Sequence, residues 1–198
     1  MDFSSIIEKI SAQVSFKREE FELFAERVTQ IRVKKNEIWE PEGKIGTYLG
    51  FVNRGILRQY ILKGDSQEYT EHFYSEGEFI GHYVSYLSQE PATTNIQALE
   101  DCELLAITFD DLQDLYLKVP VIERFGRLTA ERKLIEYHQR TQALLASSPE
   151  DMYHKLMIRK PDLHNRVKQY YIAQHLGIRP ESLSRIRKRY AEQQIKNQ

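Results

Sequence analysis

The chain has 198 residues, of which 41% are hydrophobic and 29% are charged, a composition typical of a soluble globular protein with one large or two small domains. No apolar run approaches the length of a membrane span, and the N-terminal segment lacks the basic start and unbroken apolar run of an export signal. The single cysteine, Cys102, excludes an internal disulfide framework and a four-cysteine iron–sulfur or zinc site. We therefore expect a cytoplasmic protein with no membrane partner.

The net charge of −1 hides a strong asymmetry along the chain. Residues 152–198 contain 11 Lys and Arg against 3 Asp and Glu, a net charge of +8, so residues 1–151 carry −9. An acidic body followed by a basic segment is typical of a DNA-binding module attached to another domain. A basic RNA-binding helix or a membrane-surface helix would carry the same sign of charge.

The spacing of apolar residues in the first half of the chain changes once, from helical to alternating. Apolar residues at helical spacing predict two helices within residues 3–30, with a break at 14–16. From Ile31 onward, short alternating runs rich in Tyr, Phe, Ile and Val follow, and turn residues recur about every ten positions. This spacing predicts a β-sandwich, roll or barrel, with a short helix at 82–89 and two further strands joined at Glu100–Asp101. The predicted turns are Asn53–Gly55, Lys63–Asp65 and Ser75–Gly77.

A long helix is predicted from Val121 to about Ala146, after a short one that ends near Pro120. Apolar and polar residues recur along it every three or four positions and form a partly polar seam of coiled-coil type, which indicates dimerisation. An amphipathic helix packed on its own domain would show the same pattern. Ser148 is expected to cap the next helix, and residues 161–167 are expected to link that helix to the last pair. The seam consists of Leu128, Ile135, His138, Gln142 and Leu145.

Residues 168–189 read as two short helices joined by a tight turn at Gly177. Aliphatic side chains converge on one core, Ala173 is small where the helices would cross, and Pro180 fits the first turn of the second helix. A helix-turn-helix places such a second helix in the DNA major groove. The alternative is an ordinary helical hairpin with a solvated basic face. The core positions are Ile172, Leu176, Ile178, Leu183 and Ile186.

The order of these elements resembles the Crp/Fnr family of bacterial transcriptional regulators, and the resemblance covers nearly the whole chain. The roll segment EGEFIGHYVSYLSQEPATTNIQALEDCELLAI and the C-terminal stretches IAQHLGI and PESLSRIRK are similar to the family, the latter to its short Bacteroidetes-type subgroup. The family's glycines have matches at Gly43, Gly55, Gly77 and Gly81. The resemblance implies an α+β fold with a double-stranded β-helix (jelly-roll) sensor domain at 1–119, a dimerisation helix at 120–147 and a helix-turn-helix domain at 148–198.

The resemblance also implies site residues and partners. Glu181, Ser182 and Arg185 match family positions that read bases, although Glu181 would also suit a helix N-terminus as an ordinary acid. The implied partners are double-stranded DNA with a palindromic operator, a second copy of the chain in a homodimer, and RNA polymerase. The other basic residues of the 168–189 segment are better suited to contacts with DNA phosphates; these are Lys168, Arg179, Arg187, Lys188 and Arg189.

The effector site departs from the family pattern at its two charged positions. Cyclic-nucleotide binders of the family carry a Glu for the ribose hydroxyl and an Arg for the cyclic phosphate, and here these positions hold His82 and Ala92. A buried phosphodiester needs a fixed cation or many donors. We therefore expect no tight binding of cyclic AMP and leave the effector unidentified. The candidate pocket comprises Gly81, His82, Tyr83, Ala92, Thr93 and Thr94.

No catalytic residues, metal site or cofactor are predicted. The β-rich part shows no nucleophile–base pairing, no metal-spaced His/Cys/carboxylate cluster and no phosphate-cradling glycine loop. Haem binding through His72 or His82 is disfavoured, because a lone histidine in a strand is more often structural. The sequence thus favours a homodimeric transcription factor. The alternative is a ligand-binding regulatory module that acts through protein partners and has a vestigial DNA-binding hairpin.

Overall fold

A computed structural model describes residues 1–64 and 67–196 of the chain. Helices open the chain and form its second half, and one short helix interrupts the strands between them. Within the described residues the helices are α1 Ser4–Ser11, α2 Arg18–Ala25, α3 Tyr83–Ser88, α4 Phe109–Lys118, α5 Pro120–Ala146, α6 Pro149–Arg159, α7 Leu163–Arg166, α8 Gln169–Leu176 and α9 Pro180–Lys196.

The strands form two four-stranded sheets with the orders β1-β8-β3-β6 and β2-β7-β4-β5. The strand pairs with a resolved register are antiparallel, and irregularities in register interrupt two of them. This arrangement confirms the predicted β-roll. The strands are β1 Thr29–Val33, β2 Ile38–Glu40, β3 Tyr48–Arg54, β4 Leu57–Lys63, β5 Gln67–Tyr74, β6 Phe79–Ile80, β7 Asn95–Ala98 and β8 Cys102–Thr108.

Glycines at positive φ turn the chain between strands, as the sequence predicts at Asn53–Gly55 and Ser75–Gly77. Gly55 has a φ of 98°, and a Cβ there would come within 2.5 Å of the Cys102 sulfur, so the approach of β8 also requires glycine. Of the predicted turn at Lys63–Asp65, Asp65 lies outside the described residues.

Alternation along β3 and β8 divides the apolar side chains between two cores. Val52 and Leu104 point between the sheets, where they join Leu57 and Ile96. The next residues along each strand, Phe51 and Leu105, face outward and are covered by helices. The helical residues of this outer core come from α1, α2, α3, α4 and the start of α5; they include Ile6, Ile10, Phe24, Tyr86, Leu112, Leu115, Ile122 and Phe125.

The internal packing of the chain separates two units. The first comprises Met1–Tyr60 and Phe73–Leu134, and it contains both cores of the roll. The second comprises Ile61–His72 and the chain from Ile135 onward. The adjoining ends of strands β4 and β5 therefore pack with the C-terminal helices. The domain boundaries expected from the sequence, 1–119, 120–147 and 148–198, remain a prediction.

The C-terminal helices begin where capping residues predict. Ser148 accepts a hydrogen bond from the Asp151 backbone N–H, the Asp151 side chain returns to Ser148, and Pro149 occupies the first turn of α6. The predicted linker at 161–167 contains the short helix α7, which brings Leu163 and Val167 into the core of this unit. A four-residue helix is too short to produce a periodicity in the sequence, so this element was not predicted.

Candidate functional site

The α8–α9 pair is built as the sequence predicts. Gly177 ends α8 with a φ of 67°, and α9 begins at Pro180. Ala173 is 1% exposed, which allows the two helices to approach closely. Ile178, expected in the core, is only half-buried. Helix α6 packs against both members of the pair, so their shared core fixes the direction of α9. The buried aliphatic residues of this core are Ile172, Leu176, Leu183 and Ile186.

One face of α9 is polar and exposed. Glu181, Arg185 and Lys188 are exposed at helical spacing, and half-buried Ser182 lies beside them. The guanidinium of Arg185 has one long contact, 3.4 Å from Nη2 to Ser182 Oγ, in the part of the chain that the structure describes. This face therefore brings together all three residues that the sequence assigns to base reading, with their polar groups directed to solvent.

The other two arginines of α9 contact α6 instead. Arg189 donates two hydrogen bonds to the carboxylate of Glu150, at 3.0 and 2.8 Å, and this pairing raises the pKa of Arg189 and lowers that of Glu150. Arg187 is half-buried and hydrogen-bonded to Tyr153. Two of the predicted phosphate partners, Arg187 and Arg189, thus contact α6 through their guanidinium groups.

Lys168 and Arg179 flank α8 at its two ends, and both are exposed. Sequence reasoning missed two neighbours of this surface. Ser184 is exposed three residues after Glu181 and four before Lys188, so helical spacing alone could have identified it. Tyr170, in the first turn of α8, keeps 52% of its surface exposed, and no sequence signal distinguishes it from a core tyrosine.

A buried polar cluster lies behind α8. The guanidinium of Arg140 lies against the His175 ring, with Nη1 3.0 Å from Nε2 and Nη2 3.2 Å from Nδ1, and Nδ1 also lies 3.3 Å from the Thr70 carbonyl oxygen. Burial, together with the charge of Arg140, lowers the pKa of His175 well below its usual value. The hydroxyl of Thr70 donates to Gln174 at 3.1 Å. The cluster therefore ties residues 61–72 to α5 and α8 within the second unit.

In the roll, two of the predicted effector-pocket residues meet in a hydrogen-bonded chain. Tyr74 donates to Gln59 at 2.8 Å, Gln59 donates to Thr94 at 2.9 Å, and Thr94 Oγ1 lies 3.0 Å from His82 Nδ1. His82 Nε2 then lies 3.2 Å from the Glu40 carbonyl oxygen. A neutral His82 with its proton on Nε2 satisfies each step, and burial lowers the pKa of His82, which favours this form.

The other predicted pocket residues are dispersed. Ala92 is buried, and its backbone pairs with Gly43 and Lys44, while Thr93 is exposed and Tyr83 is half-buried in α3. Gly81 is required by space, since a Cβ there would approach the Tyr48 carbonyl to 2.9 Å. The structure therefore joins His82 and Thr94 by a hydrogen bond, and the other predicted pocket residues do not take part in that hydrogen-bonded chain.

A buried carboxylate adjoins this chain. Glu40 is 5% exposed and accepts hydrogen bonds from the backbone N–H groups of Thr47 and Tyr48, at 3.1 and 3.2 Å. Burial raises the pKa of Glu40 to about 7, against the effect of those hydrogen bonds. Gly46 packs between the Glu40 carboxylate and His82, because a Cβ there would lie 3.3 Å from each. The sequence reading did not identify Glu40, since an acid within a strand gives no signal of burial.

The predicted seam of α5 is largely exposed. Ile135 and Leu145 keep 57% and 84% of their surfaces exposed, and His138 and Gln142 are also exposed. Leu128 is half-buried against the outer core of the first unit. The seam thus presents apolar and polar side chains to solvent along the second half of the helix.

Neither a metal-binding cluster nor a membrane-crossing helix is found in the described residues. Among them, no group of three or more His, Cys, Asp or Glu side chains is placed to hold a metal ion. No helix within the same residues has both the length and the apolar character that crossing a membrane requires.

Comparison with known proteins identifies the roll. Residues 30–118 match the family described as the cyclic nucleotide-binding domain. No curated protein sequence matches the chain significantly.

Solved structures with a similar fold cover most of the chain. FixK2 from Bradyrhizobium japonicum is 18% identical over 85% of this chain and 86% of its own, with a TM-score of 0.67. The c-di-GMP responsive global regulator CLP from Xanthomonas campestris is 18% identical over 89% and 93%, with a TM-score of 0.66. A protein from Eubacterium rectale assigned to the Crp/Fnr family of transcriptional regulators is 17% identical over 90% and 85%, with a TM-score of 0.67. These likenesses extend across the roll, the long helix and the C-terminal helices.

Proposed function

We propose that this chain, which contains a cyclic nucleotide-binding-type roll at residues 30–118 and has the fold of the Crp/Fnr regulators, is a sequence-specific DNA-binding transcription factor that acts as a homodimer. The observation that carries the proposal is the exposed polar face of α9, where Glu181, Arg185 and Lys188 stand free of the packing that fixes the helix. The net charge of +8 on residues 152–198 supports the same conclusion. The protein then works in the cytoplasm, with RNA polymerase as a further partner and without catalysis.

The readout of bases is assigned to the N-terminal half of α9. Arg185 has the fork of donors that binds guanine O6 and N7, and Glu181 accepts from the amino group of cytosine. Ser182 lies between them and donates to either kind of base. Pro180, Glu181 and Arg185 are exposed, so the N-terminal end of α9 is free to enter a major groove.

Phosphate contacts are assigned to residues around that face. Lys168, Arg179 and Lys188 are exposed and lie at the ends of α8 and along α9, so they would bracket a groove into which α9 is inserted. Arg187 and Arg189 contribute less to phosphate binding, because their guanidinium groups contact Tyr153 and Glu150.

Dimerisation is assigned to α5. The exposed residues Ile135 and Leu145 recur with His138 and Gln142 at the spacing of a coiled-coil seam. A two-fold dimer would present two copies of α9 about 34 Å apart, which matches a palindromic operator with half-sites one helical turn apart.

The roll is proposed to have lost the usual response to cyclic AMP. The position of the phosphate-binding arginine holds the buried Ala92, and the neighbouring His82 and Thr94 hydrogen-bond to protein partners. The ionised form of buried Glu40 would also repel a cyclic phosphate. Neutral donors and one carboxylate are a poor match for a phosphodiester.

Salt-dependent binding to a palindromic site tests this function. Affinity for the selected site should fall steeply and linearly on a log–log plot between about 50 and 200 mM salt, and a scrambled duplex should bind far more weakly. Equal affinity for both duplexes would instead support a regulatory module that acts through protein partners.

A further inference from the structure

A cavity of about 110 Å³ lies in the outer core of the first unit. Its walls come from strands β3, β6 and β8 and from helices α1, α2, α3, α4 and α5. The lining includes Ile10, Phe24, Phe51, Phe79 and Phe125. Of the six residues of the candidate effector pocket, Tyr83 lines this cavity, whereas Gly81, His82, Ala92, Thr93 and Thr94 do not.

The cavity exists because α5 carries small residues where the core would otherwise be filled. Gly126, Thr129 and Ala130 lie side by side on one face of the helix and all line the space. A Cβ at Gly126 would overlap the phenol oxygen of Tyr116, so glycine allows that ring to lie against α5. Tyr116 also lines the cavity, and its hydroxyl therefore lies about one helical turn from Thr129.

Thr129 provides an independent observation. It is 5% exposed, and its hydroxyl oxygen is buried with no hydrogen-bond partner among the described residues. A buried hydroxyl without a partner is destabilising, and the large majority of buried side-chain polar atoms avoid this condition. The wall is mostly apolar and also contains Tyr83, Gln113 and Tyr116, and the buried Thr129 hydroxyl is a polar group that is available to a bound molecule.

We propose that this cavity binds a small neutral molecule, up to about the size of a benzene ring, that carries one hydroxyl group and hydrogen-bonds to Thr129. An apolar cavity of ~150 Å³ in another protein stays free of water and takes up benzene, so a volume of about 110 Å³ suits one ring or a short alkyl chain. No Lys, Arg or His is present among the described residues that line the cavity, which excludes an anionic ligand. The proposal concerns the first unit alone and does not depend on DNA binding.

Phenol and benzene, with substitutions at Thr129, test the proposal on the full-length protein. Saturable binding of both compounds is expected in titrations followed by amide NMR, with shifts at Gly126 and Thr129 larger than those at Gly81 and His82. Thr129→Val keeps the shape of the side chain and removes the hydroxyl, so it should weaken the affinity for phenol about fivefold and leave the affinity for benzene unchanged. Thr129→Ser keeps the hydroxyl and should retain phenol, while the larger Thr129→Leu should reduce binding of both compounds.

A measurement of stability without ligand distinguishes a loss of binding from a folding defect. Because Thr129→Val removes a buried hydroxyl that lacks a partner, it should raise the midpoint of thermal unfolding of the free protein. The proposal is wrong if the wild-type protein binds neither compound saturably, if the amide shifts concentrate at Gly81 and His82, or if Thr129→Val weakens both compounds equally.

Discussion

Thr94 and His82 are joined by a hydrogen bond of 3.0 Å between Thr94 Oγ1 and His82 Nδ1, within the roll that matches the cyclic nucleotide-binding domain. The bond is one step in a chain that runs from Tyr74 through Gln59 to Thr94 and His82 and ends at the Glu40 carbonyl. Each donor meets one acceptor when His82 is neutral. The polar side chains of Gln59, Thr94 and His82 are therefore bonded to one another.

The first prediction concerns this chain of hydrogen bonds. Ala92 is buried and supplies no guanidinium for a phosphate, and Thr94 is already hydrogen-bonded to His82. Cyclic AMP should therefore not bind tightly. Isothermal titration calorimetry of the purified protein is expected to give no affinity in the sub-micromolar range. A sub-micromolar dissociation constant would show that other groups bind the phosphate.

The second prediction concerns the pH dependence of stability. Burial raises the pKa of Glu40 to about 7 from 4.5, so the folded state retains a proton that the unfolded chain releases. The free energy of unfolding should therefore fall as pH rises through this window. Glu40→Gln keeps an acceptor for the N–H groups of Thr47 and Tyr48 and removes the titration, so it should stabilise the protein at pH 8 by about 1–3 kcal/mol.

Urea unfolding at about pH 5 and about pH 8 measures this effect. Glu90→Gln is the matched control, because Glu90 is an exposed carboxylate and its loss should not alter the pH dependence. Parallel profiles for the wild-type protein and the Glu40→Gln variant would contradict the assignment of the raised pKa.

The difference between Glu40 and the helical part of the chain shows what the sequence could predict. The α8–α9 pair could be predicted from local sequence, because Gly177, Pro180 and the spacing of the aliphatic residues determine the structure within a few residues. The burial of Glu40 depends on Gly46 and on the folding of β3 beside it, which are long-range consequences of the roll. No pattern around Glu40 distinguishes it from an exposed acid on a strand.

The third prediction separates base reading from phosphate contact. Arg185→Ala should weaken binding to the preferred site by about 1–3 kcal/mol and relax specificity at one base pair. Lys188→Ala should weaken binding to all sequences similarly and reduce the salt slope by about one. Fluorescence anisotropy with the preferred site and single-base variants measures both effects. If Arg185→Ala lost the same amount of affinity on every sequence, Arg185 would not read a base.

Arg189→Ala serves as a control on the same helix. Its guanidinium is paired with Glu150 and holds α9 on α6, so the substitution should lower stability slightly and leave sequence preference unchanged. A change of preference at a particular base pair would place Arg189 at the DNA instead. The sequence grouped Arg189 with the phosphate partners because spacing alone did not show that Glu150 faces it.

The fourth prediction concerns the dimer. Leu145→Glu places a charge in the exposed seam of α5 and should shift the protein toward monomer, with weaker binding to a palindromic duplex. Leu144→Glu changes an equally apolar residue that is 54% exposed but lies off the seam, so it should remain dimeric. Sedimentation at several protein concentrations gives the two masses. Identical behaviour of the two variants would show that this seam does not form the interface.

The central claim is that α9 reads a palindromic DNA sequence. Selection of bound sequences from random double-stranded DNA by the purified full-length protein tests it most directly. The account predicts enrichment of a two-fold symmetric site whose half-sites are centred about one helical turn apart, with the preference at one base pair per half-site lost in Arg185→Ala. Recovery of unenriched DNA, or of a site without symmetry that Arg185→Ala selects equally well, would contradict it.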